Sequence, residues 1–278
     1  MMLMFKQRPE ISAVHQKLAK VQAEVRHLYD GCYQRGQVTE AEAAKLAQFE
    51  ATFAELRRSI GGDIEECRKL LGSRLMTSAD YLEHLKLVVE PEGMLPVDIV
   101  EVLNLRCPIY GGRKKVHQTH LLVWIPNDIT LSKLSDAVGG QAGKVLWSDW
   151  FIKHDSGLGE KHLAQGHWAL IPDRCPPGTK SREGKNFSDS QAALKAEYKD
   201  YQQSDVPSLA TALVLYERKT KERLYAKELA WCSRELWRAS GAALDVGRFD
   251  AYGLHVDNVD PECVNTWRGC AACWNFVA

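Results

Sequence analysis

The chain has 278 residues, 45% apolar and 26% charged, a balance ordinary for one large or two modest globular domains. Lys+Arg and Asp+Glu are both 36, so the formal net charge is zero. That argues against a protein built around nucleic-acid phosphates, because such binding rests on a net basic face. The start, M-M-L-M-F-K-Q-R-P-E, offers no apolar run long enough for a secretory signal, and no stretch approaches the ~20 apolar residues of a membrane span. A cytoplasmic address is expected, with the eight cysteines held mostly as thiols.

In chain order, Ile11, Val14, Leu18, Val21, Val25 and Leu28 recur at spacings of three and four, which predicts a helix over 9–30. Gly31 to Gln37 breaks the pattern. Thr39 then opens a second helix, with Glu42 in the capping-box position. Its stripe runs through Ala43, Leu46, Phe49, Phe53, Leu56 and Ile60, and Ile64 to Leu71 continues it. A helical hairpin or coiled coil within 1–75 is expected, serving homo-oligomerisation through residues 9–72 or docking a partner. Beyond it, 76–278 reads as a β-rich middle and a C-terminal domain.

Strands are predicted near 85–90, 97–105 and 119–125, divided by P-E-G at 91–93 and the Gly/Lys loop 108–115. A helix follows, with Asn127, Asp128 and Thr130 competing as its cap, Leu131, Leu134 and Val138 on its apolar face, and Gly139-Gly140 at its end. V-L-W-S-D-W-F-I at 145–152 and H-W-A-L-I-P at 167–172 read as strands, and 176–186 as a surface loop. Ser188 caps a helix to Tyr201. Pro207 sits in the first turn of another helix that is apolar on most faces through Tyr216, and therefore core. Strands around 244–249, 254–256 and 270–276 finish the chain.

Chemistry is weakly signalled. Cys263, Cys270, Cys273 and His255 match a Cys3His zinc set by residue type, yet zinc sites usually pair two short-spaced couples. On a strand Cys270 and Cys273 face opposite ways, which favours buried thiols. His117 and His120 are treated alike. G-G-R-K-K at 111–115 lacks the strand-loop-helix context of a phosphate loop, and with Lys180, Arg182 and Lys185 it reads as a solvated basic tip. Asp245, Asp250, Asp257 and Asp260 lack EF-hand spacing. No G-x-S-x-G nucleophile motif occurs, and no catalytic residue, metal or cofactor is assigned. What stands out is a display: Trp231, Arg234, Trp237, Arg238, Tyr252, His255, Asp257, Asn258, Asn265, Trp267 and Arg268, with Trp274 and Asn275 beyond. Trp, Tyr, Arg and Asn are the residues a binding surface favours.

N-D-I-T-L-S-K-L at 127–134, H-W-A-L-I-P at 167–172 with P-G-T-K at 177–180, P-S-L-A-T-A-L at 207–213, T-K-E-R-L-Y at 220–225, G-R-F-D-A-Y-G-L-H-V at 247–256 and R-G-C-A-A-C-W-N-F at 268–276 occur in this order. Together they resemble a family of bacterial proteins from chlamydia-like organisms and candidate phyla. The layout is also similar to the variable proteins of diversity-generating retroelements. That resemblance implies an α+β protein: a helical hairpin, then a C-type-lectin-like domain of the formylglycine-generating-enzyme branch. It further implies a non-enzymatic protein whose 207–278 segment binds a protein or other macromolecule. The alternatives are a metal-dependent or redox enzyme using the C-terminal cysteines, and a coiled-coil adaptor.

Overall fold

The computed structural model describes residues 39, 41, 44, 45, 48, 64–96, 98–138, 146, 147, 159, 165–177, 186–233, 243–250, 253–263, 268–274 and 276. The chain divides into two compact units, one ending at Glu66 and taking in Met94–Val100, the other formed by Cys67–Gly93 and Glu101–Ala278. In the first, Thr39 precedes helical residues 41, 44, 45 and 48. Helix α1 (Ile64–Leu71) carries Glu65 and Glu66 in its first turn and Arg68 and Lys69 in its last, complementing its dipole. The rest of the expected 9–72 hairpin lies outside the described residues.

After β1 (Leu75–Met76) the chain turns helical rather than continuing as strand. The Thr77 amide donates to Asp80 Oδ2 at 2.7 Å, closing a capping box over Ser78–Asp80. A π-helical turn, Tyr81–Leu85, follows and ends at Lys86 in the left-handed region, φ 59°. The strand expected at 85–90 is therefore absent. Leu87 and Val89 pack inward and Val88 points to solvent, as a strand would have them, but no strand among the described residues pairs with them. The stretch 97–105 is corrected as well: Ile99–Asn104 is helix α2. Buried Ile99, Val102 and Leu103 fall at helical spacing, whereas exposed Glu101 breaks the alternation a strand needs.

Strand β2 (His120–Ile125) and helix α3 (Leu131–Ala137) stand where expected, and the Thr130 side chain wins the capping role by accepting from the Lys133 amide at 3.1 Å. Of 145–152 only β3 (Leu146–Trp147) is described. Strand β4 (His167–Pro172) pairs antiparallel with β2. Helix α4 (Phe187–Glu197) is capped by Asn186 rather than Ser188. A strand not foreseen, β5 (Tyr201–Gln203), then leads into α5 (Val206–Thr220), which runs past Tyr216 to a left-handed Lys221.

The C-terminal strands are β6 (Leu229–Trp231), also unforeseen, β7 (Ala243–Asp250), β8 (Gly253–Val259), β9 (Arg268–Cys270) and β10 (Ala272–Trp274). The first four of these and β3 form a sheet in the order β3-β8-β7-β6-β9, with β6–β9 and β3–β8 parallel. The expected strand 270–276 is broken at Ala271. The Ala271 amide donates to Trp231 O, and its carbonyl accepts from the Ser204 amide. β10 thereby leaves the large sheet and pairs antiparallel with β5. A third sheet has the order β1-β2-β4. Helix α5 packs on β2 and β4 of that sheet and on β7 and β8 of the large one, and every residue from Val206 to Tyr216 is buried. The molecule thus mixes helix and sheet, as an α+β protein does.

The large sheet depends on a glycine. Gly247 sits in β7 at φ +147°, and a Cβ there would lie 2.1 Å from the Glu228 carbonyl oxygen. Gly247→Ala is expected to lower stability by about 3 kcal/mol or more in urea unfolding, through backbone strain and overlap with main chain that cannot move aside. A Gly112→Ala control, at a solvent-facing turn where the nearest atom would be 4.0 Å away, carries only the strain part.

Candidate functional site

Register assigns the two faces of the large sheet. Residues directly opposite one another share a face. Leu244, Val246, Leu254, Val256 and Ala230 point into the core shared with α5. The other face carries Asp245 opposite Asp257, His255 opposite Gly247, Trp231 opposite Asp245, Cys270 opposite Trp231 and Arg268 opposite Leu229. Simple alternation in A-L-D-V-G-R-F makes this happen: placing Leu244 and Val246 inward drives Asp245 to the far side.

That far side is charged and mostly covered. Arg268 Nε donates to Asp245 Oδ2, with Asp245 fully buried and Arg268 10% exposed. The Arg268 guanidinium lies 5.3 Å from the Trp231 ring centroid, and its Nη1 donates to Cys263 Sγ at 3.6 Å. Phe187 of α4 meets Trp231 edge-on, 5.7 Å between centroids. Burial pushes the Asp245 carboxyl up to about 6, against the pull of Arg268 and with a further upward push from Asp257. Two buried polar atoms in this layer, Asp245 Oδ1 and Trp231 Nε1, have no hydrogen-bond partner. Toward the edge, His255 lies 3.4 Å by Nε2 from Asp250 Oδ2 and 3.8 Å by Nδ1 from Asp257 Oδ2. Asp257 is 37% exposed and Arg248 64%, so the rim is open where the centre is closed.

The structure redistributes the expected display. Trp231 is fully buried against Phe187 and Arg268, and His255 and Arg268 are buried as well. Asp257 is reachable, and Asn258 stands in β8 opposite Leu244. Arg234, Trp237, Arg238, Tyr252, Asn265 and Trp267 lie outside the described residues, as does Asn275. Trp274 is buried in β10 against Tyr201. Sequence reasoning missed Phe187 as a neighbour of Trp231, and it saw Asp245 only as part of an aspartate group. The alternation around Leu244 and Val246 was the available signal.

Cys270 and Cys273 sit in strands of two different sheets, and burial pushes both thiols up to about 12. Among the described residues no group of three or more His, Cys, Asp or Glu is placed to hold a metal. Asp245 is not free for calcium, being committed to Arg268. His120 is a core group: Nδ1 meets Thr119 Oγ1 and Nε2 meets Tyr201 Oη, each at 2.9 Å, and burial lowers it to about 3. His117, in a 3-10 turn, meets Leu103 O. A cleft of about 560 Å3, floored by Leu85, Leu87, Val89 and Ile129, shares no residue with the sheet's charged face.

No family model, curated protein or solved structure matches this chain.

The raised Asp245 carboxyl has a readable sign. Folded Asp245 holds its proton up to about pH 6, while the unfolded side chain releases it near 3.8. The folded state therefore binds more protons between those values, and this group's contribution falls as pH rises through that window. Comparing wild type with Asp245→Asn by urea unfolding from pH 4 to 7, the wild type is expected to lose about 2 kcal/mol relative to the variant. A pH-independent difference rules out the raised carboxyl.

Proposed function

We propose that residues 207–278 form a ligand-binding scaffold of the C-type-lectin-like kind, used as in the variable proteins of diversity-generating retroelements. The observation that carries this reading is the two-faced sheet. Its inner face is committed to the core by Leu244, Val246 and Val256, and its outer face builds a buried polar layer of Asp245, Arg268, Trp231 and His255. Such a layer adds little stability, because desolvation of the ions opposes their attraction. It does fix the orientation of what lies over it. Contacts with the ligand fall to Asp257 and to the sequence positions Arg234, Trp237, Arg238, Tyr252, Asn265 and Trp267; Asn258, opposite core-facing Leu244, is set aside. The ligand is a protein or other macromolecule, and the neutral chain disfavours nucleic acid.

The scaffold reading needs no metal, cofactor or catalytic group. Redox chemistry at Cys270 and Cys273 is disfavoured because a nucleophilic cysteine works as the thiolate, which their burial opposes. No helix among the described residues is long and apolar enough to cross a membrane, and a cytoplasmic site of action is proposed with the scaffold. Residues 9–72 are proposed to assemble copies of the chain, multiplying weak contacts through avidity.

The decisive test is genetic. A reverse transcriptase gene and a near-copy of the 3′ coding segment are expected beside this gene. Substitutions among sister strains are expected to gather at the proposed contacts while sparing Asp245, Trp231 and Arg268. An invariant 231–275 without such a gene nearby removes the diversification reading. Alanine at Asp257, Asn265 and Trp267 together is expected to shift the unfolding midpoint by less than about 5 °C, the response of a surface rather than a core.

A further inference from the structure

The loop 111–115, G-G-R-K-K, has no role in the sheet's charged face. Its backbone is tightly fixed. The Cys107 amide donates to Lys114 O at 2.8 Å, and the Gly112 amide to Cys107 O at 2.9 Å. Gly111 and Gly112 turn the chain at φ +58° and +73°, where a side chain is disfavoured. Arg106 Nη1 also donates to Gly112 O at 3.2 Å. The loop thereby holds Lys114 beside Tyr110, with Lys114 Nζ 4.6 Å from the ring centroid.

A second cation meets the same ring. Arg174 Cζ lies 3.7 Å from the Tyr110 centroid, and Arg174 Nη2 donates to Ile109 O at 3.3 Å. The Tyr110 hydroxyl donates to Asp173 Oδ1 at 2.7 Å, while Asp173 Oδ2 takes Arg74 Nη2 at 3.4 Å. Both oxygens of Asp173 are thus engaged. Glu228 accepts from the amide of Cys175, the residue after Arg174, through Oε2 at 2.9 Å. Arg174 and Lys114 have no carboxylate partner among the described residues, and two buried guanidinium atoms, Arg74 Nη1 and Arg174 Nε, have no acceptor at all. Buried charge without a partner is disfavoured, and a buried donor without an acceptor adds to that. In a chain of zero net charge this is a local excess of positive charge with unused donors.

We propose that Arg74, Arg174 and Lys114, gathered around Tyr110 and Asp173, bind the phosphate group of a small phosphorylated ligand. The three donors come from separate segments: the turn before β1, the end of β4 and the 111–115 loop. A carboxylate satisfies one guanidinium fork in a plane, whereas a tetrahedral oxyanion with three free oxygens can accept from all three groups. Lys114 is exposed and rests only on the ring face, so its ammonium swings to the anion without breaking an ion pair. Arg174, over the Tyr110 ring, and Arg74, which lies over the Tyr216 ring at 5.9 Å and reaches the group through Asp173, supply the fixed donors.

The test uses the full chain and two probes, inorganic phosphate and glycerol phosphate, titrated by calorimetry at constant ionic strength against sodium chloride. Saturable binding with a dissociation constant of roughly millimolar or tighter is expected. The tighter probe tells whether a free phosphate or a phosphate ester is the natural ligand. Lys114→Ala and Arg174→Gln are each expected to weaken binding about 10-fold or more, and Lys195→Ala, an exposed lysine on α4, to leave it unchanged. If Arg174→Gln fails to fold, Lys114→Ala alone decides, because Lys114 lies at the surface. No saturable heat with either probe overturns the site, as does equal weakening by Lys195→Ala.

Discussion

A helix apolar on every side is stable only when surfaces cover it all round, and α5 is such a helix. Val206, Leu209, Leu213, Val214 and Leu215 all lie within 1% exposure, and burying each large side chain contributes about 1.5–3 kcal/mol. The cover comes from β2 and β4 on one sheet and from β7 and β8 on another. Its start is set by Asp205, which accepts from the Ser208 amide at 2.7 Å and from the Ser208 hydroxyl at 2.8 Å. Its far end is tied down by Lys219, whose ammonium donates to Asp80 Oδ1 and to Leu75 O. With α5 in place, each neighbouring sheet must turn its apolar face toward it.

The polar layer of the large sheet follows from that commitment. Once Leu244, Val246, Leu254 and Val256 face the helix, alternation leaves Asp245, Asp257 and His255 on the other side. α4 then covers part of that side through Phe187 on Trp231. Under this cover the Asp245–Arg268 pair is desolvated, and the carboxyl responds by rising toward 6. The arrangement has a closed centre and an exposed rim. The same logic makes Gly247 irreplaceable, since β6 approaches β7 so closely that the Glu228 carbonyl occupies the space of a side chain.

Legibility tracked the length of the local pattern. α5, α3, β2 and β4 were readable because their apolar runs are long and their caps or flanking prolines are local. The two false strands, 85–90 and 97–105, are β-branched and apolar in composition, and composition outweighed period in the reading. In the second, Glu101 already broke the alternation. The short strands β1, β5 and β6 were not legible, because two or three residues carry no period and exist only through partners distant in the chain. In the site, side-chain depth was not legible. Nothing local distinguishes Trp231 under Phe187 from a tryptophan at a surface.

By itself the sequence determined the local facts: which segments are amphipathic or wholly apolar, where Thr130 and Asp205 can cap, and where Pro207 begins a helix. These rest on side chains acting within a few residues. Only the tertiary structure decided that Cys270 and Cys273 belong to different sheets, that Arg268 is the partner of Asp245, and that Arg174 and Lys114 meet at the Tyr110 ring with Arg74 held to Asp173 beside it. Each of those depends on strand register and on contacts between residues far apart in the chain, which no local pattern encodes.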